Sequence, residues 1–203
     1  MNASDFLSSN EYFFLPTKKR PKVALAVDNS TLTKNAFKLY NPFSQKAKLL
    51  KKVSRLAFTN FNTVSKIVLG AKLEKKSPFV SYLETKLDKP LVVSLYFATI
   101  NDKIVMQLQT PNAQIIGYLK YPINDIGLRH LENEKKAIDI LSERGVIQKC
   151  LLYDEFDGKP FLLLTALEGD IGLVDRQQID DILLQFKREK VHHTWNKFSK
   201  KRS

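Results

Sequence analysis

The sequence predicts an α+β protein: a five-stranded antiparallel sheet with one packed helix, preceded by a small α+β unit and followed by a C-terminal helix. Three observations carry this expectation. Short runs rich in β-branched and aromatic residues (Leu91 to Ile100, Ile104 to Thr110, Gln114 to Tyr121) follow one another across the turn pairs Asn101-Asp102 and Pro111-Asn112. A stretch from about Ile126 to Arg144 has helical periodicity and stops at Gly145. Two more strand-like runs, Ile147 to Phe156 and Lys159 to Ala166, flank Asp157-Gly158, a strong hairpin signal.

The N-terminal elements are read in the same way. Pro21 to Val27 is a strand, and Asp28, Asn29 and Ser30 supply a turn. Asn35 to Tyr40 is a second strand, with Phe37 and Leu39 on one side, broken by Asn41-Pro42. A helix starts near Ser44 and sets Leu49, Leu50, Val53, Leu56 and Ala57 on one face. Lys46, Lys48, Lys51, Lys52 and Arg55 take much of its remaining surface. Thr59 to Gly70 fits a continuing helix or a strand. The charged stretch Lys72 to Ser77 marks a boundary, which divides the chain into a basic unit at 1–76, a sheet domain at 77–169, and a helix with a basic tail at 170–203. Ser77-Pro78 then starts a helix, serine as cap and proline at the first helical position, running to about Lys86 and ending before Pro90.

At the far end, Asp175 with Gln178 resembles a capping box, and Ile179, Ile182, Leu183 and Phe186 form an apolar stripe. His192 and His193 are adjacent and so cannot share a helix face as a metal pair would.

The 203 residues are 43% hydrophobic and can bury a real core. The runs of apolar residues, such as Phe161 to Leu164, are too short to cross a bilayer, so no transmembrane segment is expected. Met1 to Phe14 lacks the pattern of an export signal, and Cys150 stands without a disulfide partner, which together suit a cytoplasmic setting. The net charge of +12 is uneven. Residues 1–80 carry roughly +11, the tail from Lys187 roughly +6, and the segment between them roughly −5. Such basic flanks suit an anionic partner: membrane, nucleic acid or an acidic protein.

Three strands, a helix and two strands, with Tyr118-Leu119-Lys120, Leu131-Glu132-Asn133-Glu134, Leu141-Ser142-Glu143-Arg144-Gly145 and Phe161 to Leu167 before Glu168-Gly169, resemble the ATP-binding lobe of the aminoglycoside phosphotransferase and choline-kinase superfamily. The resemblance implies that Lys120 neutralises nucleotide phosphate, that Glu134 holds that lysine, and that Ala166 and Leu167 form the hinge against the base. ATP is the implied cofactor, with magnesium only alongside it.

The residues support part of this independently. Glu134 shares a helix face with Leu131, Ile138 and Leu141, and an inward carboxylate needs a cation such as Lys120. Two features depart from the resemblance: the first hairpin, Ala98 to Asp102, has no glycine, which weakens nucleotide binding without excluding it, and no His-Gly-Asp type catalytic loop occurs, which stands against activity. The resulting expectation is an incomplete, pseudokinase-like lobe, inactive by itself. The alternatives are a binding module that docks on an anionic surface, or half of a split phosphotransferase whose second lobe is a partner protein.

Overall fold

The computed structural model describes residues 2–17, 19, 21–39, 45–60, 70–98, 102–142 and 149–166, within a compact unit spanning Met1–Leu167. The readings placed on Tyr40 to Ser44, on Gly145, on most of Thr59 to Gly70, and on everything from Leu167 onward lie outside the described residues.

After a 3-10 turn at Ala3–Phe6 come strands β1 (Glu11–Leu15) and β2 (Val23–Ala26), then helices α1 (Ser30–Leu39) and α2 (Gln45–Asn60). Strand β3 (Gly70–Lys72) and helix α3 (Pro78–Leu87) follow. The remainder is β4 (Val92–Ala98), β5 (Lys103–Gln109), β6 (Ile115–Pro122), helix α4 (Asp125–Ser142), β7 (Cys150–Phe156) and β8 (Lys159–Thr165). They make one antiparallel sheet in the order β3-β1-β2-β4-β5-β6-β8-β7.

The α+β class holds, but among the described residues the sheet has eight strands rather than five. The five expected strands are β4 to β8, and the other three come from the N-terminal residues. Val23 pairs with Tyr96 and Ala24 with Leu95, so β2 continues the sheet from the edge of β4. Strand β1 lies in the Tyr12-Phe13-Phe14-Leu15 run. That run has no alternation because Tyr12 enters one core and Phe13 the other.

Residues 35 to 39 are helical, not a strand. The Oδ1 of Asn29 accepts the N–H of Thr31 at 3.1 Å and of Leu32 at 2.9 Å, which caps α1 where a turn was expected. Leu32, Thr33, Ala36 and Phe37 are then buried at helical spacing. Two apolar residues at alternate positions, Phe37 and Leu39, were too short a pattern to tell the periods apart.

Each face of the sheet has its own cover. On one, Phe79 of α3 meets Phe6, Tyr121, Phe156 and Phe161 at ring-centroid distances of 5.0–5.5 Å, with edge-on geometry. Ser77 caps α3 by accepting the Val80 N–H at 3.2 Å, as Ser77-Pro78 predicts. Tyr82 donates to Asp154 at 2.7 Å and Lys86 pairs with it at 2.8 Å, tying α3 to β7. These hydrogen bonds hold the Asp154 carboxyl down to about 2.

The opposite face is shared. Helices α1 and α2 cover Phe13, Val23, Leu25 and Val27, with the Phe58 ring 4.5 Å from that of Phe13. Helix α4 covers the other end through Leu131 and Ile138 over Leu162 and Leu164. The β7–β8 hairpin turns on Asp157 and Gly158, with φ of 52° and 71°, the left-handed pair that a two-residue turn requires.

Helix α4 is stapled to the β4–β5 turn. Asn124 donates to the Asp102 carboxylate at 3.1 Å and accepts the Gly127 N–H at 2.9 Å, while the Ile123 N–H reaches the Asp102 carbonyl at 2.9 Å. A Cβ at position 127 would sit 2.1 Å from that same carbonyl oxygen. Gly127→Ala is therefore expected to destabilise the protein by about 1–3 kcal/mol, read as a lower urea midpoint; an unchanged midpoint would mean that α4 does not sit this close to the turn.

Candidate functional site

Between α1 and α4, the sheet face that these helices share turns polar. Directly opposed residues of an antiparallel pair share a face. Val105 lies opposite Lys120, and Gln107 opposite Tyr118 and Ser94. Lys103 and Gln109 are two residues away from these along β5, so they point the same way. On this side β5 therefore carries Lys103, Gln107 and Gln109 with Val105 among them, while Ile104, Met106 and Leu108 are buried on the other.

The inner end of this row is closed. Gln107 and Gln109 are fully buried, although alternation along β5 alone would suit a solvated edge of polar side chains. Helix α1 covers them. Gln107 donates to the Asn35 carbonyl at 3.0 Å and to the Tyr118 hydroxyl at 3.2 Å, and Asn35 donates to the Ala113 carbonyl at 2.8 Å. Gln109 donates to Gln107 at 3.0 Å. These bonds offset much of the desolvation that buried amides cost, although the Gln109 Oε1 is buried without a partner.

The outer end carries charge. Glu134 of α4 meets Lys120 through Oε1 and Lys103 through Oε2, the latter at 2.9 Å. The inward-facing carboxylate thus finds the strand lysine that the sequence nominates, and a second one besides. The Lys103 side chain is only 10% exposed, against 24% for Lys120 and 25% for Glu134. An unpaired ammonium at the Lys103 position would be costly, so the carboxylate has a structural task as well as an orienting one. Burial pushes the Glu134 carboxyl up, but hydrogen bonds and charge from Lys120 and Lys103 outweigh it and hold it below the usual range.

Two ammonium groups on one carboxylate leave the cluster one positive charge in excess. Each ammonium has three donors and spends one on Glu134, so four N–H groups are left over among the described contacts. That arrangement fits an anion with several acceptor oxygens, such as a phosphate group. It does not fit a divalent cation, because the carboxylate is already claimed twice. Among the described residues no group of three or more His, Cys, Asp and Glu side chains could hold a metal ion.

Of the other nominated residues, Ala166 follows the last residue of β8 and is partly exposed. It lies four residues beyond Leu162, which is opposite Lys120, a strand distance of about 13 Å. Leu167 lies outside the described residues. Lys103 was not nominated. Only the β5–β6 pairing brings it to Glu134, through the same-face diagonal to Lys120. Cys150 is partly buried against the Leu131–Leu164 cluster, and burial pushes its thiol up.

No described helix is long and apolar enough to cross a membrane. No family model, no curated protein and no solved structure matches this chain.

A depressed carboxyl stabilises the fold fully above its unfolded value near 4.5, and that contribution is lost as pH falls through the lower folded value. Glu134→Gln should lower stability at neutral pH by about 1–3 kcal/mol and flatten the loss seen on acidification below about pH 4.5. Urea melts of both proteins across that range check it; parallel curves would remove Glu134 from the acid transition.

Proposed function

We propose that β4 to β8 with α4 form a nucleotide-binding lobe related to those of small-molecule phosphotransferases, in which Lys120 and Lys103 contact phosphate and Glu134 holds both. The observation that carries this reading is the single carboxylate shared by two strand lysines. Its support is physical. The cluster has a surplus of positive charge and unspent donors, and it sits where a strand and a helix from the expected order of elements converge. The backbone after Thr165 is then the place for the base, with Ala166 its described part.

ATP would supply the phosphates, and magnesium would arrive on their oxygens rather than on Glu134. The chain's own residues bind and orient: Lys120 and Lys103 neutralise charge, and Glu134 fixes the two ammonium groups against the sheet. The proposal covers binding of nucleotide and not transfer of its phosphate.

Lys120→Ala suits a test because Lys103 still satisfies Glu134, so the fold should survive the change. ATP in excess is expected to raise the melting temperature of the wild type by mass action. Lys120→Ala should weaken ATP binding by roughly tenfold or more, the value of a lost charge-assisted hydrogen bond. Calorimetric titration with ATP and ADP, each with and without magnesium, measures this. No heat and no thermal shift in the wild type would sink the proposal.

A further inference from the structure

Helix α2 has two apolar faces. Phe58 is fully buried and Ser54 nearly so on the side toward the sheet. Leu49, Leu50, Val53 and Leu56 point the other way and are 63%, 53%, 55% and 59% exposed. At helical spacing these four fall within an arc of about 120°. The stripe that the sequence marks as an apolar face is thus turned away from the protein's own core.

The charges around it share one sign. The helix contains Lys46, Lys48, Lys51, Lys52 and Arg55 and no acidic residue. Lys48, Lys52 and Arg55 occupy the arc that adjoins one edge of the stripe, and all three are exposed. On the neighbouring helix α1, Lys34 and Lys38 are exposed too. Four large aliphatic side chains held in water at this density mark a contact surface rather than ordinary scatter.

The two properties together select the partner. Nucleic acid would satisfy the lysines but leave the leucines in water. A neutral apolar groove would take the leucines but not the uniform charge beside them. An anionic lipid surface takes both, and it does so without the matched groove and placed carboxylates that an acidic protein would need. The aliphatic stripe sinks to the headgroup–acyl boundary, and the lysine stems lie along it with their ammonium groups among the lipid phosphates.

We propose that α2 is an interfacial membrane-binding helix that docks the protein reversibly on anionic lipid, lying in the plane of the surface. This surface shares no residue with the Lys103–Lys120–Glu134 cluster, and the inference does not rest on nucleotide binding.

Flotation of the full chain with lipid vesicles tests it. The protein should float with vesicles of phosphatidylcholine mixed with phosphatidylserine and stay behind with phosphatidylcholine alone. Leu49→Ser/Leu56→Ser keeps every charge and should lower partitioning by roughly tenfold or more. Lys48→Gln/Lys52→Gln should lower it by about fivefold per lysine. Both pairs alter exposed positions, so an unchanged urea midpoint confirms that the fold is intact. Absence of flotation on the anionic vesicles would overturn the proposal. So would equal flotation of the leucine variant, which would leave charge alone as the cause. A dimer or a DNA complex that forms while vesicles are ignored would assign the surface to a second copy or to nucleic acid instead.

Discussion

A carboxylate in a half-buried position must be paid for in partners, and Glu134 has two. Its bonds to Lys103 and Lys120 join α4 to β5 and β6, three elements whose apolar contacts alone would tolerate some sliding. Leu131 and Ile138 press the helix onto Leu162 and Leu164, but such packing is non-directional. The ion triad is directional, and it selects the rotation of α4 about its own axis. The Asn124–Asp102 staple sets the helix's height, so the two devices together leave it one seat.

The same face shows how the protein handles polar groups inside. At one end Gln107, Gln109 and Asn35 are linked beneath α1 by neutral hydrogen bonds, with the Gln109 Oε1 left as a buried acceptor without a partner. At the other end the arrangement is charged and incompletely spent. Tyr118 stands between them, accepting from Gln107 two residues before Lys120. A low-dielectric neighbourhood strengthens each hydrogen bond that the two ammonium groups make to Glu134.

What could be read from residue order alone was whatever a local period or a local cap encodes. The inward side of Glu134 follows from its spacing to Leu131 and Ile138. Ser77-Pro78 and Asp157-Gly158 mark a helix start and a hairpin by backbone chemistry that needs no distant partner. The failures have the opposite character. Lys103 reaches Glu134 only through cross-strand register, which no single strand's pattern contains. The burial of Gln107 and Gln109 has no local sign, because their cover, α1, lies about seventy positions away and reads as a strand from two alternating residues. The stripe on α2 was legible as a stripe, but periodicity says which residues share a side and not what that side meets. The joining of β2 to β4 links residues about seventy positions apart, beyond the reach of any window.

The continuity of the sheet has an outcome for how the polypeptide divides. Phe6 belongs to the same aromatic cluster as Phe79, Tyr121 and Phe161, and the Ser8 hydroxyl both contacts the Tyr12 phenol at 2.7 Å and accepts the Val93 N–H at 3.2 Å. A fragment begun at Ser77 would carry all the residues of the charged triad yet lose these ties. It would bare the backbone of β4 along the side that β2 now occupies, inviting edge-to-edge association. The segment from α3 to β8 cannot be excised with its packing intact.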